Sequence, residues 1–247
     1  MGKETSLISG FSGTDSKRVD LFLQKLTPHL VEGNYLIVGG LAIRYHLNKH
    51  GIDYPIRDFN DLDLEVPSIN VVKPSVQNEF LIYHYHPQVN DSFFVALVEP
   101  VTKIKVDIFK RVYKGRDRRY LITDFHGLEV KVTEVEDQLV KTVYDISRIA
   151  ENDKVDPKQF KDTKLLMQIA NMELANQIWQ GENYENYPEN ITSSIERAEN
   201  ISKEKPEWVV EKPFRHPKPY ICPNCKNVPD FNITPMEEIY KAIGYVE

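Results

Sequence analysis

The stretch that decides the fold is Asn60-Asp61-Leu62-Asp63-Leu64-Glu65-Val66, in which polar and apolar residues alternate. Such alternation is typical of a β-strand with one buried face, because successive side chains of a strand point to opposite sides of the sheet. Leu62 and Leu64 are therefore expected in the core. Asp61 and Asp63 are expected on the other face, with about 7 Å between their Cα atoms.

A second strand-like run, Lys105-Val106-Asp107-Ile108-Phe109, carries one more acid between apolar neighbours. Two carboxylates on one strand face repel each other unless a cation lies between them. Oxygen ligands alone suit Mg²⁺ or Mn²⁺. If the two strands are neighbours, Asp61, Asp63 and Asp107 form a cluster able to hold two metal ions about 3.5–4 Å apart. The alternative is an exposed acidic pair on the wet face of a sheet.

A glycine pair precedes both acidic strands, in the run Tyr35-Leu36-Ile37-Val38-Gly39-Gly40. The apolar residues predict a short buried strand, and the segment from Leu41 to Asn48 is expected to be a helix. The free N–H groups at the start of that helix, together with its positive dipole end, suit a phosphate group. The alternative for Gly39 and Gly40 is a plain tight turn.

The chain divides into a mixed α/β half and a helical half. Strand-like runs continue as far as Val132, after which the apolar period changes from two to 3.6 residues. We predict a catalytic core over 1–132, a helical region packing on it over 133–205, and a Pro-rich extension over 206–247. One helix is expected to run from an Asp156 cap to about Trp179, and a short closing helix from Pro235 to Ile243. The fold class expected is α+β, with a mixed sheet and flanking helices.

Composition excludes several classes of protein. The 247 residues carry a formal net charge of −6 and are 41% hydrophobic, which excludes a disordered tail and a wholesale nucleic-acid coating protein. No apolar run approaches the roughly 20 residues that span a bilayer. The first residues lack a hydrophobic stretch of the signal-peptide type. A soluble, cytoplasmic protein without a membrane partner is therefore expected.

The order of these motifs resembles a known superfamily. A Gly-Gly turn at Gly39, the Asp61-x-Asp63 strand and a third strand-borne acid at Asp107 look like the DNA polymerase β-type nucleotidyltransferases. More narrowly, the chain is similar to the AbiEii/MenT-like branch, the toxins of type IV toxin–antitoxin systems. That branch has an Arg four positions before the acidic pair, where Arg57 stands.

Later motifs extend the resemblance over roughly Asp20 to Ala170. The branch has a Glu-Asp helix start followed by a Lys, matched by Glu136-Asp137-Gln138-Leu139-Val140-Lys141, and a Lys-Asp pair matched by Lys161-Asp162. The alternative for Lys141 is a solvated ladder of ion pairs with Asp137 and Asp145, which stand four residues before and after it. Asp162 could orient Lys141 or only stabilise a helix start.

The resemblance implies a metal-dependent transfer of a nucleoside monophosphate from an NTP to an acceptor hydroxyl of a tRNA or protein, with a cognate antitoxin as a further partner. Asp107 is the best candidate to help deprotonate the acceptor. The implied metal ligands are Asp61, Asp63 and Asp107; the catalytic residues are these three and Lys141; the nucleotide-binding residues are Gly39, Gly40, Arg57, Lys141 and Asp162.

A basic run follows the third acid. Between Lys103 and Arg119 eight basic residues face two acidic ones, in a chain whose net charge is negative. We predict a hairpin beside Asp107 that docks a polyanionic acceptor, since phosphate contacts dominate binding to nucleic acids. The alternative is a sheet edge charged to prevent edge-to-edge pairing. The candidate acceptor-binding residues are Lys110, Arg111, Lys114, Arg116, Arg118 and Arg119.

Two further patterns carry less chemistry. Cys222 and Cys225 are spaced as in a zinc knuckle, but with His216 they supply only three ligands where a closed site needs four, so Zn²⁺ is not expected. His84 and His86 alternate on a strand and are expected on a half-exposed sheet face. Two alternative functions remain open: a catalytically quiet nucleotide sensor or binding module that keeps the fold, and a nucleic-acid-binding module without chemistry.

Overall fold

The computed structural model describes residues 6–8, 11, 13–54, 58–89, 92–110, 117–182, 184, 186–211 and 231–244, apart from the side chains of residues 83, 86–89, 92, 236 and 243. The strands are β1 (Leu36–Val38), β2 (Asp61–Val66), β3 (Leu81–Val89), β4 (Ser92–Val98), β5 (Lys105–Lys110), β6 (Tyr120–Phe125) and β7 (Leu128–Thr133). The helices are α1 (Gly13–Leu26), α2 (Gly39–Lys49), α3 (Val135–Ser147), α4 (Pro157–Met167), α5 (Met172–Gly181), α6 (Ile191–Glu204) and α7 (Met236–Ile243).

The described residues group into two compact units. The first consists of those within Met1–Val112, Tyr120–Val132 and Phe214–Glu247, and the second of those within Tyr113–Arg119 and Thr133–Pro213. The first unit contains the sheet with α1, α2 and α7. The second contains helices α3 to α6. The expected α+β fold, a mixed sheet with flanking helices followed by a helical half, is confirmed.

The sheet has seven strands in the order β3-β4-β5-β2-β1-β7-β6. β2 runs parallel to β5, and β1 parallel to β7. The pairs β1–β2, β3–β4 and β4–β5 are antiparallel. The acidic strands β2 and β5 are thus neighbours at the centre of the sheet, which is the condition that the predicted cluster of three acids required.

One face of the central strands lies in the hydrophobic core. Leu62 and Leu64 of β2 are each 1% exposed, and the core residues of β5 beside them are fully buried. These side chains pack in one cluster with Phe22 and Leu26 of α1. Because β2 and β5 alternate strictly over their first residues, burial of the leucines leaves the acids on the opposite face.

The C-terminal described stretch returns to the first unit. The backbone N–H of Thr234 donates to the carbonyl of Ile82 in β3, at 2.8 Å, so the stretch lies along an edge strand of the sheet. α7 follows, and its Ile239 packs against Val98 of β4. The expected closing helix is confirmed, and it begins one residue later than predicted, at Met236.

The strands at the two ends of the basic run are not paired as the predicted hairpin would require. β5, at its start, pairs with β4 and β2, whereas β6, at its end, lies at the far edge of the sheet beside β7. A hairpin would need these two strands to be neighbours. A hairpin made of these two strands is therefore excluded, while Arg111, Lys114 and Arg116 of the run lie outside the described residues.

The second unit is built around α3. Its apolar positions Leu139, Val143 and Ile146 are fully buried, as their helical spacing predicted, and α4, α5 and α6 all contact it. Asp156 caps α4 with both bonds of a capping box, again as predicted.

The long helix expected from Asp156 to Trp179 is instead two helices. α4 ends at Met167, and α5 begins after Asn171. The side chain of Asn171 accepts a hydrogen bond from the N–H of Leu174 at 3.2 Å, which makes it the N-cap of the second helix. Asn competes for backbone groups in this way and favours helix starts over helix interiors.

No helix in the described ranges combines the length and apolar character needed to cross a bilayer.

Candidate functional site

Strand register brings two of the predicted acids directly together. In the parallel pair of β2 and β5, Asp63 lies opposite Asp107 and Asp61 lies opposite Lys105. Neighbouring strands are about 4.8 Å apart, and residues in register share a sheet face. All four side chains therefore occupy one face, on the side opposite the core, and this face is called the acidic face below. The predicted convergence of Asp107 with the Asp61-x-Asp63 pair rests on this register.

Gly39 makes room for one of these acids. β1 pairs with β2 so that Val38 lies opposite Asp63, which sets Gly39 beside the same carboxylate. Gly39 has φ +66°, and a Cβ built on it would stand 2.3 Å from Asp63 Oδ2. Only glycine combines that left-handed backbone with so close an approach. Asp63 thus rests against the first residue of α2.

The second glycine of the pair lies beside open space. A Cβ on Gly40 would meet no atom within 4 Å, and its φ is not in the left-handed region. Gly39 and Gly40 are both half-buried rather than covered. The start of α2 also lacks a side-chain cap, since its N-cap is Val38 and makes no side-chain hydrogen bond. Backbone N–H groups at a helix start have no partner within the helix itself and are the groups to which anions bind.

An arginine of α1 forms hydrogen bonds to both of the segments that precede the acidic strands β2 and β5. The Arg18 guanidinium donates to the carbonyl of Phe59 at 2.5 Å and to the carbonyl of Thr102 at 3.1 Å, and it is paired with Asp15 at 2.7 Å. The N–H of Lys105 donates to the carbonyl of Asn60 at 2.9 Å. These bonds join the segments that lead into β2 and β5, and they help to fix the register on which the acidic face depends.

A buried carboxylate holds the turn between β4 and β5. Glu99 is fully buried, pairs with Lys25 at 2.6 Å, and accepts N–H bonds from Val101 and Thr102. Burial opposes its ionisation, but the lysine and the N–H donors outweigh burial and lower the pKa of Glu99 below its ordinary value. The turn that delivers Lys105 and Asp107 to the site is therefore anchored by a charged group.

The surroundings of Asp107 raise its pKa above the ordinary value. Burial raises the pKa of Asp107, Lys105 opposes that rise, and the nearby negative charge of Asp61 adds to it. Lys105 Nζ lies 2.5 Å from Asp107 Oδ2. The other oxygen, Oδ1, is buried and accepts no hydrogen bond from any group that the structure describes.

The donor set fits a hard divalent cation. Three carboxylates on one face of two paired strands supply the oxygen ligands that Mg²⁺ and Mn²⁺ prefer. The buried, unbonded Oδ1 of Asp107 is an acceptor of the kind that a cation would satisfy. Among the described residues, no three Asp, Glu, His or Cys side chains already stand together around one point. Asp107 instead turns one oxygen to Lys105, and Asp63 lies against Gly39.

The two predicted helical residues belong to the second unit. Lys141 Nζ lies 2.5 Å from Asp145 Oδ2, four residues along α3, which is one half of the ion-pair ladder considered as its alternative. Asp137, the other half, takes a hydrogen bond from Arg119 at 3.1 Å. Asp162 is 5% exposed on α4. The nucleotide-binding roles of Lys141 and Asp162 remain predictions.

The described residues of the basic run are not a row of exposed cations. Arg118 is 4% exposed, so it is buried. Arg119 donates to Glu136 at 2.7 Å as well as to Asp137, and these carboxylates lie in the first turn of α3. Arg118 thus lies in the interior, and Arg119 pairs with the start of a helix of the second unit. Lys110 ends β5, paired in register with Val66.

Several predicted residues lie outside the described part of the chain. They are Arg57, Arg111, Lys114, Arg116, His216, Cys222 and Cys225.

Two residues of the acidic face were not singled out by the sequence analysis. Lys105 was counted only as part of the basic run, although its position two residues before Asp107 is a signal that it shares that face. Glu65 stands two residues after Asp63 on the same side of β2 and is 3% exposed. The period of a strand would have found both.

Comparison with known proteins adds a distant likeness to a solved structure. No protein-family model matches the chain, and no curated protein matches it in sequence. Among solved structures, the chain is similar to one described as an antigenic nucleotidyltransferase-like protein from Paracoccidioides brasiliensis, with 16% identity and a TM-score of 0.39. That match covers 77% of this chain and 88% of the other.

Proposed function

We propose that the chain is a metal-dependent nucleotidyltransferase that moves a nucleoside monophosphate from an NTP to an acceptor hydroxyl. One observation carries the proposal: Asp63 and Asp107 lie in register on adjacent parallel strands, with Asp61 on the same face and Gly39 of the α2 start against Asp63. An acidic strand pair next to a glycine turn also fits the order of motifs in the AbiEii/MenT-like branch. A toxin-like enzyme with a tRNA or protein acceptor is the narrower form of the proposal.

The three acids would hold Mg²⁺ or Mn²⁺ on the face opposite the core. A bound divalent metal supplies neutralisation of phosphate charge and a lowered pKa for the attacking hydroxyl. Asp61 and Asp63 share a strand that pairs with β1 and β5 on its two sides, so the backbone that carries their carboxylates is fixed. Such preorganisation avoids the cost of arranging charged groups during the reaction.

Asp107 is the group proposed to accept the proton of the acceptor. Burial raises the pKa of Asp107 above that of an ordinary carboxyl, which makes its carboxylate a better base.

The start of α2 is proposed to hold phosphate oxygens. Helix starts carry a positive dipole end that favours phosphate, and the open space beside Gly40 gives a phosphate room to approach the backbone. Gly39 keeps this turn next to Asp63, so the triphosphate and the acids would share one region of the first unit.

The Lys105–Asp107 ion pair favours a second candidate, a catalytically quiet nucleotide sensor. A lysine on Asp107 already neutralises one acid of the site. Such a protein would bind an NTP and transfer nothing.

One experiment separates the two functions. The full chain is titrated with Mn²⁺ and followed by the electron paramagnetic resonance signal of the free ion, and it is then incubated with each α-³²P-labelled NTP and either total tRNA or a whole-protein extract. Mn²⁺ binding with label transferred to acceptor supports the enzyme. Binding without transfer supports the sensor, and absence of Mn²⁺ binding contradicts the metal-dependent enzyme. Asp63→Asn is the matched control for the enzyme, because it removes one ligand charge and keeps the shape.

A further inference from the structure

Lys105 lies on the acidic face where a metal ion would compete with its ammonium group for the Asp107 carboxylate. Its register partner is Asp61, its Nζ lies 2.5 Å from Asp107 Oδ2, and the side chains of the pair are only 21% and 17% exposed. A lysine so placed is a compact point charge among carboxylates. It reduces the repulsion that the clustered acids would otherwise suffer.

The positions of the acids are consistent with the Lys105 ammonium acting as their cation. Asp63 and Asp107 lie in register and Asp61 shares their face, yet no three acids among the described residues are gathered as ligands around one point. Asp107 directs Oδ2 to Lys105, while Oδ1 is buried without a hydrogen bond from the described residues. Asp107 must release the lysine before both of its oxygens can turn to a metal.

We propose that Lys105 is a resident counter-cation, which a divalent metal displaces from Asp107, and that the released ammonium then binds the triphosphate. This inference rests on the proposed function. The lysine keeps the acidic face neutralised while no metal is bound. After displacement, its flexible stem leaves the charge on the same face, where a phosphate chain would lie. Lys105 thus makes metal binding weak and triphosphate binding dependent on metal.

The inference predicts opposite effects of one substitution on two ligands. In Lys105→Met, Mn²⁺ no longer competes with the ammonium, and we expect it to bind about tenfold more tightly, equivalent to about 1.4 kcal/mol. Inorganic tripolyphosphate added to the Mn²⁺-saturated variant loses a charged partner, and we expect it to bind about tenfold more weakly than to the parent. A lysine with only a structural role would not give these opposed changes.

Three control variants isolate competition from general electrostatics. Lys105→Arg keeps the charge and the pairing with Asp107, so its Mn²⁺ affinity should stay near that of the parent. Lys103→Met removes an exposed charge two residues away, and its effect should stay within about threefold because exposed charges are screened by salt. Lys105→Gln tests the same loss of charge with a polar side chain if the Met variant folds poorly.

The measurements are Mn²⁺ titrations of the full chain by electron paramagnetic resonance, followed by calorimetric titration with tripolyphosphate at saturating Mn²⁺. Far-ultraviolet circular dichroism verifies that each variant is folded. The inference is overturned if Lys105→Met and Lys105→Gln bind Mn²⁺ no more tightly than Lys103→Met, or if their affinity for tripolyphosphate is unchanged. A parent chain that binds no Mn²⁺ contradicts the proposed function itself, which distinguishes the two failures.

Discussion

Substitution of the first glycine tests the geometry of the acidic face. In Gly39→Ala, the new Cβ would stand 2.3 Å from Asp63 Oδ2 on a backbone with φ +66°. A non-glycine residue in the left-handed region costs about 1–2 kcal/mol, and displacement of a part-buried carboxylate costs about 1–2 kcal/mol more. We expect the free energy of unfolding to fall by about 3 kcal/mol, and the melting temperature by roughly 6–12 °C.

Gly40→Ala is the matched control in the next position. No atom lies within 4 Å of its added Cβ, and its backbone is compatible with alanine. Because alanine is the better helix former, stability should rise by up to about 1 kcal/mol. Mn²⁺ affinity should be kept in this variant and lost in Gly39→Ala. Tripolyphosphate binding should weaken in Gly40→Ala, since the methyl group occupies the space proposed for phosphate.

A double-mutant cycle separates strain from overlap. In Gly39→Ala combined with Asp63→Ala, the overlap disappears and only the backbone strain of about 1–2 kcal/mol should remain. Urea unfolding of the four proteins, followed by circular dichroism, measures the interaction energy. Equal stabilities of Gly39→Ala and Gly40→Ala, or an interaction energy near zero, would refute the close approach of Asp63 to this turn.

Three further predictions use the same unfolding and Mn²⁺ assays. Glu99→Gln should lower the free energy of unfolding by about 2 kcal/mol at pH 7, because it breaks a buried ion pair. Since the pKa of Glu99 is lowered in the fold, this loss of stability should shrink as the pH falls below about 4.5. The control Glu129→Gln, at an exposed position, should change stability little. Asp61→Asn or Asp63→Asn should weaken Mn²⁺ binding at least about tenfold, and the melting temperature should be equal to or higher than that of the parent. A lower melting temperature with unchanged Mn²⁺ affinity would assign both acids a structural role. Arg119→Met should destabilise the second unit by about 1 kcal/mol, because a half-exposed guanidinium loses its pairing with two carboxylates. A change in tRNA affinity without a change in stability would contradict this structural role of Arg119.

Period and alternation are local properties, and the features that depend on them were predictable. The strict alternation from Asp61 to Val66 predicted both the buried face and the acidic face of β2. The change of period after Thr133 predicted α3 and its apolar side. Side-chain direction in a strand or helix follows from the backbone repeat alone, so no knowledge of distant contacts was needed.

Features that depend on long-range pairing were predicted less well. The basic run is rich in charge and short in sequence, so a hairpin between its flanking strands was the simplest expectation. The sheet instead pairs β5 with β2, which precedes it by a long interval, and sends β6 to the other edge. The helix break before Asn171 depended on one capping bond, which competes with helix continuation by a small free energy.

The acidic face depends on register as much as on composition. A shift of β5 by one residue against β2 would turn Asp107 toward the core and Ile108 away from it, which buried apolar packing forbids. A shift by two residues would keep the faces but place Asp63 opposite Lys105 or Phe109. Alternation alone does not exclude that second shift. The bonds of Arg18 to the segments before both strands, and the anchored Glu99 turn, favour the observed register. These two groups lie away from the acids, yet loss of either should loosen the alignment of Asp63 with Asp107, so their contribution to the site is positional.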